Sequence, residues 1–221
     1  MPPKKPATPR TKAVTLKTAR GRSTSQQLWL RRQLNDPYVA AARAQGFRSR
    51  AAFKLIELDE RFHIIRPGAR VVDLGAAPGG WTQVALQRGA ACVVGLDLLP
   101  IDEIAGAKLL LGDFTDPAMP EQLAALLGGP ADLVLSDMAP NTTGHTPTDH
   151  LRIMGLAELA LDFATGVLAP GGAFVAKLFQ GGSERQMLSL LKTRFSSVRH
   201  AKSPASRKES SELYVVVSGF R

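Results

Sequence analysis

The sequence of 221 residues contains very little cysteine. Its one cysteine, Cys92, excludes an internal disulfide framework and a cysteine-rich metal site, and such low usage is typical of a reducing compartment. No apolar run approaches the ~18 residues that a membrane span requires, and no signal-peptide core follows the first residues. We therefore expect a cytoplasmic protein without a membrane anchor.

Acidic residues are missing from the first 32 positions, although the whole chain has 19 of them. The same stretch carries nine basic residues, so the entire net charge of +9 resides there. Residues 1–26 are also rich in Pro, Thr and Ser and show no apolar periodicity, which predicts a disordered tail. A phosphate-binding arm, a solubilising segment and a mitochondrial transit peptide are the three roles that this composition leaves open.

Residues 27–221 are expected to form one domain with a full hydrophobic core. Short helices come first, the last of them capped by Ser49, and strands then alternate with helices. The predicted strands are Val71–Leu74, Cys92–Leu96, Lys108–Leu111, Leu133–Ser136, Ala173–Leu178, Ser197–Ala201 and Leu213–Gly219. This alternation predicts an α/β fold with a parallel sheet and helices on both faces. The last two strands have no helix between them and should pair antiparallel.

A glycine-rich loop follows the first predicted strand, in the stretch "VVDLGAAPGGW". A dinucleotide-binding loop would have a second glycine where Ala77 stands, and Pro78 removes an amide donor that a phosphate would use. A P-loop is excluded because no Lys-Ser/Thr pair follows. The loop that begins at Gly75 therefore suits a nucleoside-like ligand without phosphates.

Three aspartates follow predicted strands, at the edge of the sheet where ligands of such folds bind. Asp97 can accept both hydroxyls of a ribose, and Asp113 is placed to meet an adenine amino group; Asp137 is the third. Each aspartate taken alone is equally compatible with a helix N-cap. Together with the glycine loop, they predict S-adenosylmethionine as the cofactor.

The group that receives the methyl is expected to be an oxygen. The stretch "SDMAP" lacks the aromatic residue typical of amine methyltransferases, and Cys92 lies within a predicted strand, where it belongs to the core. An oxygen nucleophile needs a base, and Lys177, near the carboxyl end of an apolar strand, is the candidate. A lysine that extends along the strand edge into solvent is the structural alternative.

These motifs together resemble the FtsJ-type ribosomal RNA methyltransferases, which methylate a ribose 2′-oxygen. The resemblance runs from about Gln27 to Phe220 and rests on the stretches "RSRAAFKL", "VVDLGAAPGGW", "LDLLP", "GDF", "SDMAP", "LAPGGAFVAKLFQG" and "SRKESSELYVV". It implies a Rossmann-like, seven-stranded methyltransferase sheet whose last strand inserts antiparallel between strands five and six.

The resemblance also implies the residues of the active site. Its catalytic tetrad corresponds to Lys54, Asp137, Lys177 and Glu212. Its cofactor contacts correspond to Gly79, Trp81, Asp97, Asp113 and Asp137, which join Gly75 of the loop. Burial and Lys54 disfavour the charged form of Lys177, whereas the two acids favour it, so a base and a fixed cation both stay open. No metal site is expected.

A compact chain of this kind is most similar to the bacterial members of the family, which methylate a uridine of large-subunit ribosomal RNA. The resemblance therefore implies the large ribosomal subunit, or its RNA, as the partner of a monomeric enzyme. Methylation of tRNA or of an mRNA cap, and a non-catalytic role in ribosome assembly, are the alternatives. A basic wall for RNA is expected from Arg31, Arg32, Arg43, Arg48 and Arg50.

Overall fold

The computed structural model describes residues 14–15, 21, 23–140, 145–179, 185–207 and 210–221. Most of the predicted tail therefore lies outside the described residues. Within it, Val14 exchanges two hydrogen bonds of 2.7 and 3.0 Å with the side chain of Asn35. The first helix begins at Thr24 after a capping box of Ser23 and Gln26, so the boundary expected at residue 26 falls inside this helix.

Helices and strands alternate through the described chain after three initial helices. The helices are α1 (Thr24–Leu34), α2 (Pro37–Ala44), α3 (Ala52–Phe62), α4 (Gly80–Gln87), α5 (Met119–Leu127), α6 (Thr146–Val167) and α7 (Arg185–Arg194). The strands are β1 (Arg70–Leu74), β2 (Cys92–Asp97), β3 (Ala107–Leu111), β4 (Ala131–Ser136), β5 (Leu168–Phe179), β6 (Phe195–Ala201) and β7 (Glu212–Phe220).

These strands form one seven-stranded sheet in the order β3-β2-β1-β4-β5-β7-β6. Strands β1 to β5 run parallel, and β7 pairs antiparallel with both β5 and β6. The predicted α/β fold and its terminal antiparallel hairpin are confirmed. The insertion of β7 between β5 and β6 confirms the topology that the family resemblance implied.

Helices cover both faces of the sheet and create two hydrophobic cores. One core, around Leu123 and Phe174, joins α5, α6 and α7 to the sheet; the other, around Phe53, joins α2, α3 and α4. Successive strand residues point to opposite faces. Ala176 contributes to the first core and Val175 to the second, so Lys177 lies on the α3 side of the sheet.

The expected helix cap at Ser49 is wrong. Helix α3 has Ala51 at its N-cap and no capping side chain. Among the described residues the Ser49 hydroxyl is buried without a hydrogen-bond partner, and it lies only 2.4 Å from the point where a Cβ on Gly80 would be. The start of α3 thus packs directly on the start of α4.

Candidate active site

The four tetrad residues come from four separate elements. Lys54 lies on α3, Asp137 directly follows β4, Lys177 lies on β5 and Glu212 begins β7. The amide of Asp137 donates to the carbonyl of Leu74 at 3.1 Å, which extends the pairing of β4 with β1 by one residue. The sheet topology therefore brings the four side chains to one point at the carboxyl ends of the central strands.

Direct ion pairs connect these side chains. Lys177 Nζ donates to Asp137 Oδ1 at 3.0 Å and to the Asp137 carbonyl at 2.5 Å. Lys54 Nζ donates to Glu212 Oε2 at 2.8 Å and lies 3.7 Å from Asp137 Oδ2. The Lys177 side chain is only 7% exposed, which excludes the alternative of a lysine that extends into solvent.

Tyr214 is a fifth member of this group, and the sequence analysis missed it. Its hydroxyl donates to Asp137 Oδ1 at 2.8 Å and accepts from Lys54 Nζ at 3.0 Å. Its ring is fully buried against Trp81, with 5.7 Å between the ring centroids. Tyr214 lies two residues after Glu212 on one strand face and opposite Lys177 in the ladder. The strand alternation in "ELYVV" is the signal that would have identified it.

The electrostatics fix the protonation of Asp137 and Tyr214 at neutral pH. Burial alone would raise the pKa of Asp137, but the ammonium groups of Lys177 and Lys54 and the bonds from Lys177 and Tyr214 lower it below its usual value. Burial, together with the carboxylates of Asp137 and Glu212, raises the pKa of Tyr214 well above its usual range. Asp137 is therefore an ionised acceptor and Tyr214 a neutral donor.

A loop between β6 and β7 orients Glu212. Ser206 Oγ donates to Glu212 Oε1 at 2.6 Å. The loop itself is attached to α3 by the buried carboxylate of Glu57, which accepts from Ser203 Oγ at 2.5 Å and from the Ala205 amide at 2.8 Å. A cavity of about 220 Å³ opens beside this loop and is lined by Arg50, Ala51, Lys54, Arg207, Ser210 and Glu212. One side of the tetrad is therefore accessible to a substrate.

A larger cavity of about 470 Å³ lies at the ends of β1, β2, β3 and β4. Its lining includes Gly75, Asp97, Asp113, Phe114 and Met138, and Met138 directly follows the tetrad residue Asp137. A Cβ on Gly75 would lie 2.9 Å from the Met138 backbone, so glycine allows the chains after β1 and β4 to meet. The volume is that of a site for a small organic cofactor.

The lining of this larger cavity fits S-adenosylmethionine. It includes two carboxylates, Asp97 and Asp113, against one cation, Arg152, so it favours a ligand with a positive centre over one with phosphates. Asp113 is fully exposed, and bonds from Thr115 to its Oδ1 lower its pKa. In the described part of the chain its Oδ2 accepts no bond and is available to an amino group.

Gly79, Trp81 and Asp137 do not line the larger cavity. Gly79 forms the N-cap of α4 with φ +109°. Trp81 is buried, donates from Nε1 to the Ala51 carbonyl at 2.8 Å and packs on Tyr214. Asp97 does line the cavity, and its carboxylate accepts from the amides of Ala77 and Leu99, each at 2.9 Å. It therefore joins the loops that follow β1 and β2.

Asp73 is a second residue that the sequence analysis missed. It is fully buried on β1, where its Oδ2 accepts from Thr82 Oγ1 at 2.7 Å and its Oδ1 has no hydrogen-bond partner among the residues that the structure describes. Burial raises its pKa to about 7. An acid inside the apolar run "VVDL" was the available signal.

The expected basic wall divides into two kinds of arginine. Arg31, Arg32 and Arg43 are exposed on the N-terminal helices. Arg48 and Arg50 are half-buried and donate to internal groups: Arg48 to backbone carbonyls, and Arg50 to the Asp36 carboxylate and the Ala205 carbonyl. Of the five expected arginines, three are therefore fully on the surface, whereas Arg50 lines the smaller cavity beside Lys54.

Two negative observations concern the described residues alone. None of their helices is long and apolar enough to cross a membrane. Within the same residues, no group of three or more His, Cys, Asp or Glu side chains is arranged to hold a metal ion.

Comparison with known proteins agrees with this geometry. The sequence pattern of the FtsJ-like methyltransferases matches residues 47–220. A relative from Gluconobacter oxydans, named ribosomal RNA large subunit methyltransferase E, is 72% identical over 97% of this chain and 80% of its own length. A relative of the same name from Acidiphilium cryptum is 73% identical over 95% and 93%.

Among solved structures, a ribosomal RNA methyltransferase from Plasmodium falciparum superposes with a TM-score of 0.70. It is 28% identical in sequence, and the match covers 79% of this chain and 98% of that one. The fold and the order of the elements are therefore shared with a methyltransferase of known structure.

Proposed function

Because the chain belongs to the FtsJ-like methyltransferase family, we propose that it methylates the 2′-oxygen of a uridine in large-subunit ribosomal RNA. The chain is an S-adenosylmethionine-dependent methyltransferase. The observation that carries the proposal is the buried group of Lys177, Asp137 and Tyr214 with Lys54 and Glu212, which lies between a cofactor cavity and a second, substrate-accessible cavity.

The cofactor cavity holds S-adenosylmethionine through residues of the strand ends. Asp97 would accept from the ribose hydroxyls and Asp113 from the adenine amino group, while Gly75 lets the backbone approach closely. When bound, the cofactor supplies an activated methyl group on a positively charged sulfur. The protein residues then have to position the attacking oxygen and manage its charge.

Lys177 performs that task at the 2′-oxygen. An ammonium has three donors, and two of them are directed at Asp137, so the third is left for the ribose oxygen. In this arrangement Lys177 orients the hydroxyl and stabilises the negative charge that develops as the oxygen attacks the methyl carbon. The bond from that carbon to the cofactor sulfur would break, and the hydroxyl proton would pass to solvent water. A single-turnover rate that is constant from about pH 6 to about pH 10 is expected. If the rate instead changes with pH in this range, and Lys177→Arg abolishes that change, Lys177 acts as a base.

Two observations support an RNA substrate: the positive charge near the N-terminus and the sequence similarity to rRNA methyltransferases. The exposed Arg31, Arg32 and Arg43 lie on the helices that precede Lys54, and the first 32 residues contain no acid. Clustered cations of this kind bind phosphates with the release of counterions. The relatives named above are enzymes of large-subunit ribosomal RNA by name. We extend the same substrate to this chain, as a monomer in the cytoplasm.

Methyl transfer from labelled S-adenosylmethionine to a panel of RNAs tests the substrate. We expect label on large ribosomal subunits from cells that lack this protein, and almost none on subunits from cells that contain it, which are the matched control. Label on tRNA or capped RNA instead would overturn the ribosomal substrate. No label on any RNA, despite tight RNA binding, would favour an assembly factor.

A further inference from the structure

Arg48 lies between two of the loops that contribute to the lining of the cofactor cavity. One loop follows β1 and runs through Gly75 and Gly79; the other follows β2 and runs from Asp97 to Ile104. Arg48 belongs to neither, because it lies in the segment that joins α2 to α3. It is thus placed to act on both loops from outside.

The guanidinium of Arg48 binds both loops at once. Nη1 donates to the Asp102 carbonyl at 2.6 Å and to the Pro78 carbonyl at 3.3 Å, and Nη2 donates to the Glu103 carbonyl at 2.7 Å. The Arg48 amide is itself fixed on α4, since it donates to Gln83 Oε1 at 2.8 Å. A planar guanidinium holds several acceptors in one geometry, which an ammonium cannot do.

Gly79 allows this contact. A Cβ at Gly79 would lie 2.5 Å from Ile104 Cδ1 and 3.3 Å from Arg48 Cδ and Nη1. The absence of a side chain therefore lets the arginine stem and the second loop pack against the first loop. The Asp97 carboxylate, which accepts from the amides of Ala77 and Leu99, is a second link between the same loops.

We propose that Arg48 is a positioning residue for S-adenosylmethionine, which sets the spacing between the Gly75 and Asp97 walls of the cofactor cavity. Its guanidinium donates to three backbone carbonyls of the protein, so it contributes to cofactor affinity and not to the binding of RNA phosphates. The proposal rests on the cofactor assignment alone, so it is independent of which RNA is methylated.

Calorimetric titration with S-adenosylmethionine, together with RNA binding at fixed salt, tests the proposal. Arg48→Gln should raise the dissociation constant of the cofactor roughly 10- to 100-fold, as expected for the loss of charged hydrogen bonds. Its RNA affinity should stay within about twofold of wild type. Arg48→Lys should recover part of the loss, since an ammonium can still donate to one loop. Arg66→Gln, which removes an exposed cation between α3 and β1, is the matched control and should leave cofactor affinity unchanged.

The opposite pattern would overturn the proposal. If Arg48→Gln binds the cofactor as wild type does but loses RNA affinity with a shallower salt dependence, Arg48 is a phosphate contact. If Arg48→Gln fails to fold, the affinities of Arg48→Lys for the cofactor and for RNA are compared with those of wild type in the same way. If the proposed RNA substrate is wrong, the wild-type protein fails to methylate it. The binding measurements on Arg48 variants do not depend on methyl transfer, so the two failures can be told apart.

Discussion

One oxygen of Asp137 accepts hydrogen bonds from both Lys177 and Tyr214, at 3.0 and 2.8 Å. The same phenol accepts from Lys54, so Tyr214 connects the two lysines through a group that never titrates in the working range. A neutral donor in this position leaves the charge balance of the tetrad unchanged while it fixes the Asp137 carboxylate. The orientation of Lys177 therefore depends on a residue outside the tetrad.

Tyr214→Phe should lower the single-turnover rate of methyl transfer roughly 10- to 100-fold, because Asp137 loses a donor and Lys54 an acceptor in a buried site. The ring and its packing on Trp81 are retained, so cofactor affinity should change by less than about twofold. Tyr38→Phe is the matched control: it removes a hydroxyl that donates to Glu57 at 3.2 Å, outside the tetrad. Equal rates for the two variants would contradict this role of Tyr214.

Asp73 should make stability depend on pH. Its pKa is about 7 in the folded protein because of burial, against about 3.9 in the unfolded chain. The folded state holds the proton more tightly, so this contribution to stability is complete below about pH 4 and is lost as the pH rises towards about 7. Between about pH 4 and pH 8, the unfolding free energy of Asp73→Asn should rise by roughly 4 kcal/mol relative to wild type.

Urea unfolding of both proteins without cofactor, at several pH values, measures this difference. Thr82→Val removes the hydroxyl whose hydrogen bond lowers the pKa of Asp73, so this variant should extend the pH dependence of stability to higher pH. A difference between Asp73→Asn and wild type that stays constant with pH would show that Asp73 keeps an ordinary pKa.

A charge in or after an apolar strand was the signal that the sequence offered for the site, although Asp73, which carries the same signal in β1, was missed. Lys177 and Asp137 were identifiable because a charge in or after an apolar strand is unusual. Tyr214 was not, because a tyrosine in an apolar strand is unremarkable until the partner of its hydroxyl is known. Arg48 and Arg50 were expected to face RNA, since a sequence shows the charge of an arginine but not the carbonyls to which it donates.

At the scale of secondary-structure elements, the backbone after β1 packs closely against the backbone after β4 at Gly75. It has φ +79°, and a Cβ there would lie 2.9 Å from the Met138 Cα and N atoms, which belong to backbone and cannot rotate away. Gly128 at the end of α5 has a similar φ of +71° but no atom within 4 Å of the Cβ position. A comparison of Gly75 with Gly128 therefore distinguishes the cost of the left-handed backbone conformation from the cost of the contact with Met138.

Gly75→Ala should therefore reduce cofactor affinity more than about tenfold. It should also destabilise the fold by more than the ~1 kcal/mol that a left-handed alanine costs by itself. Gly128→Ala should cost only the ~1 kcal/mol of a left-handed alanine and leave cofactor affinity unchanged. Cofactor titration and thermal unfolding of the two variants give the comparison. Similar behaviour of both would mean that the contact with Met138 relaxes easily.

The order of strands and helices was predictable because strand and helix periodicities differ and both recur along the chain. The residues at which helices and strands begin and end were less predictable. Strand β5 begins at Leu168, five residues before the predicted start, because its first residue pairs with Ala131 ahead of an irregularity in the ladder. The position of β7 inside the sheet followed from the family resemblance, since a hairpin alone does not tell which strand contacts β5.

At the scale of the whole molecule, charge and cavities are arranged for two ligands of different kinds. The first 32 residues hold nine basic residues and no acid, which accounts for the net charge of +9. The cofactor cavity instead has an excess of carboxylates. The charge of the N-terminal sequence thus favours a polyanion as one ligand, and the carboxylates of the cavity favour a cationic cofactor as the other.

The most direct test of this account is nucleoside analysis of methylated large-subunit RNA. Labelled S-adenosylmethionine would be supplied to wild type, to Lys177→Ala and to Lys192→Ala, the last an exposed lysine on α7 as control. We expect label in 2′-O-methyluridine with wild type and Lys192→Ala, and none with Lys177→Ala although it still binds cofactor and RNA. Label in a base-methylated nucleoside, or full activity of Lys177→Ala, would contradict the account.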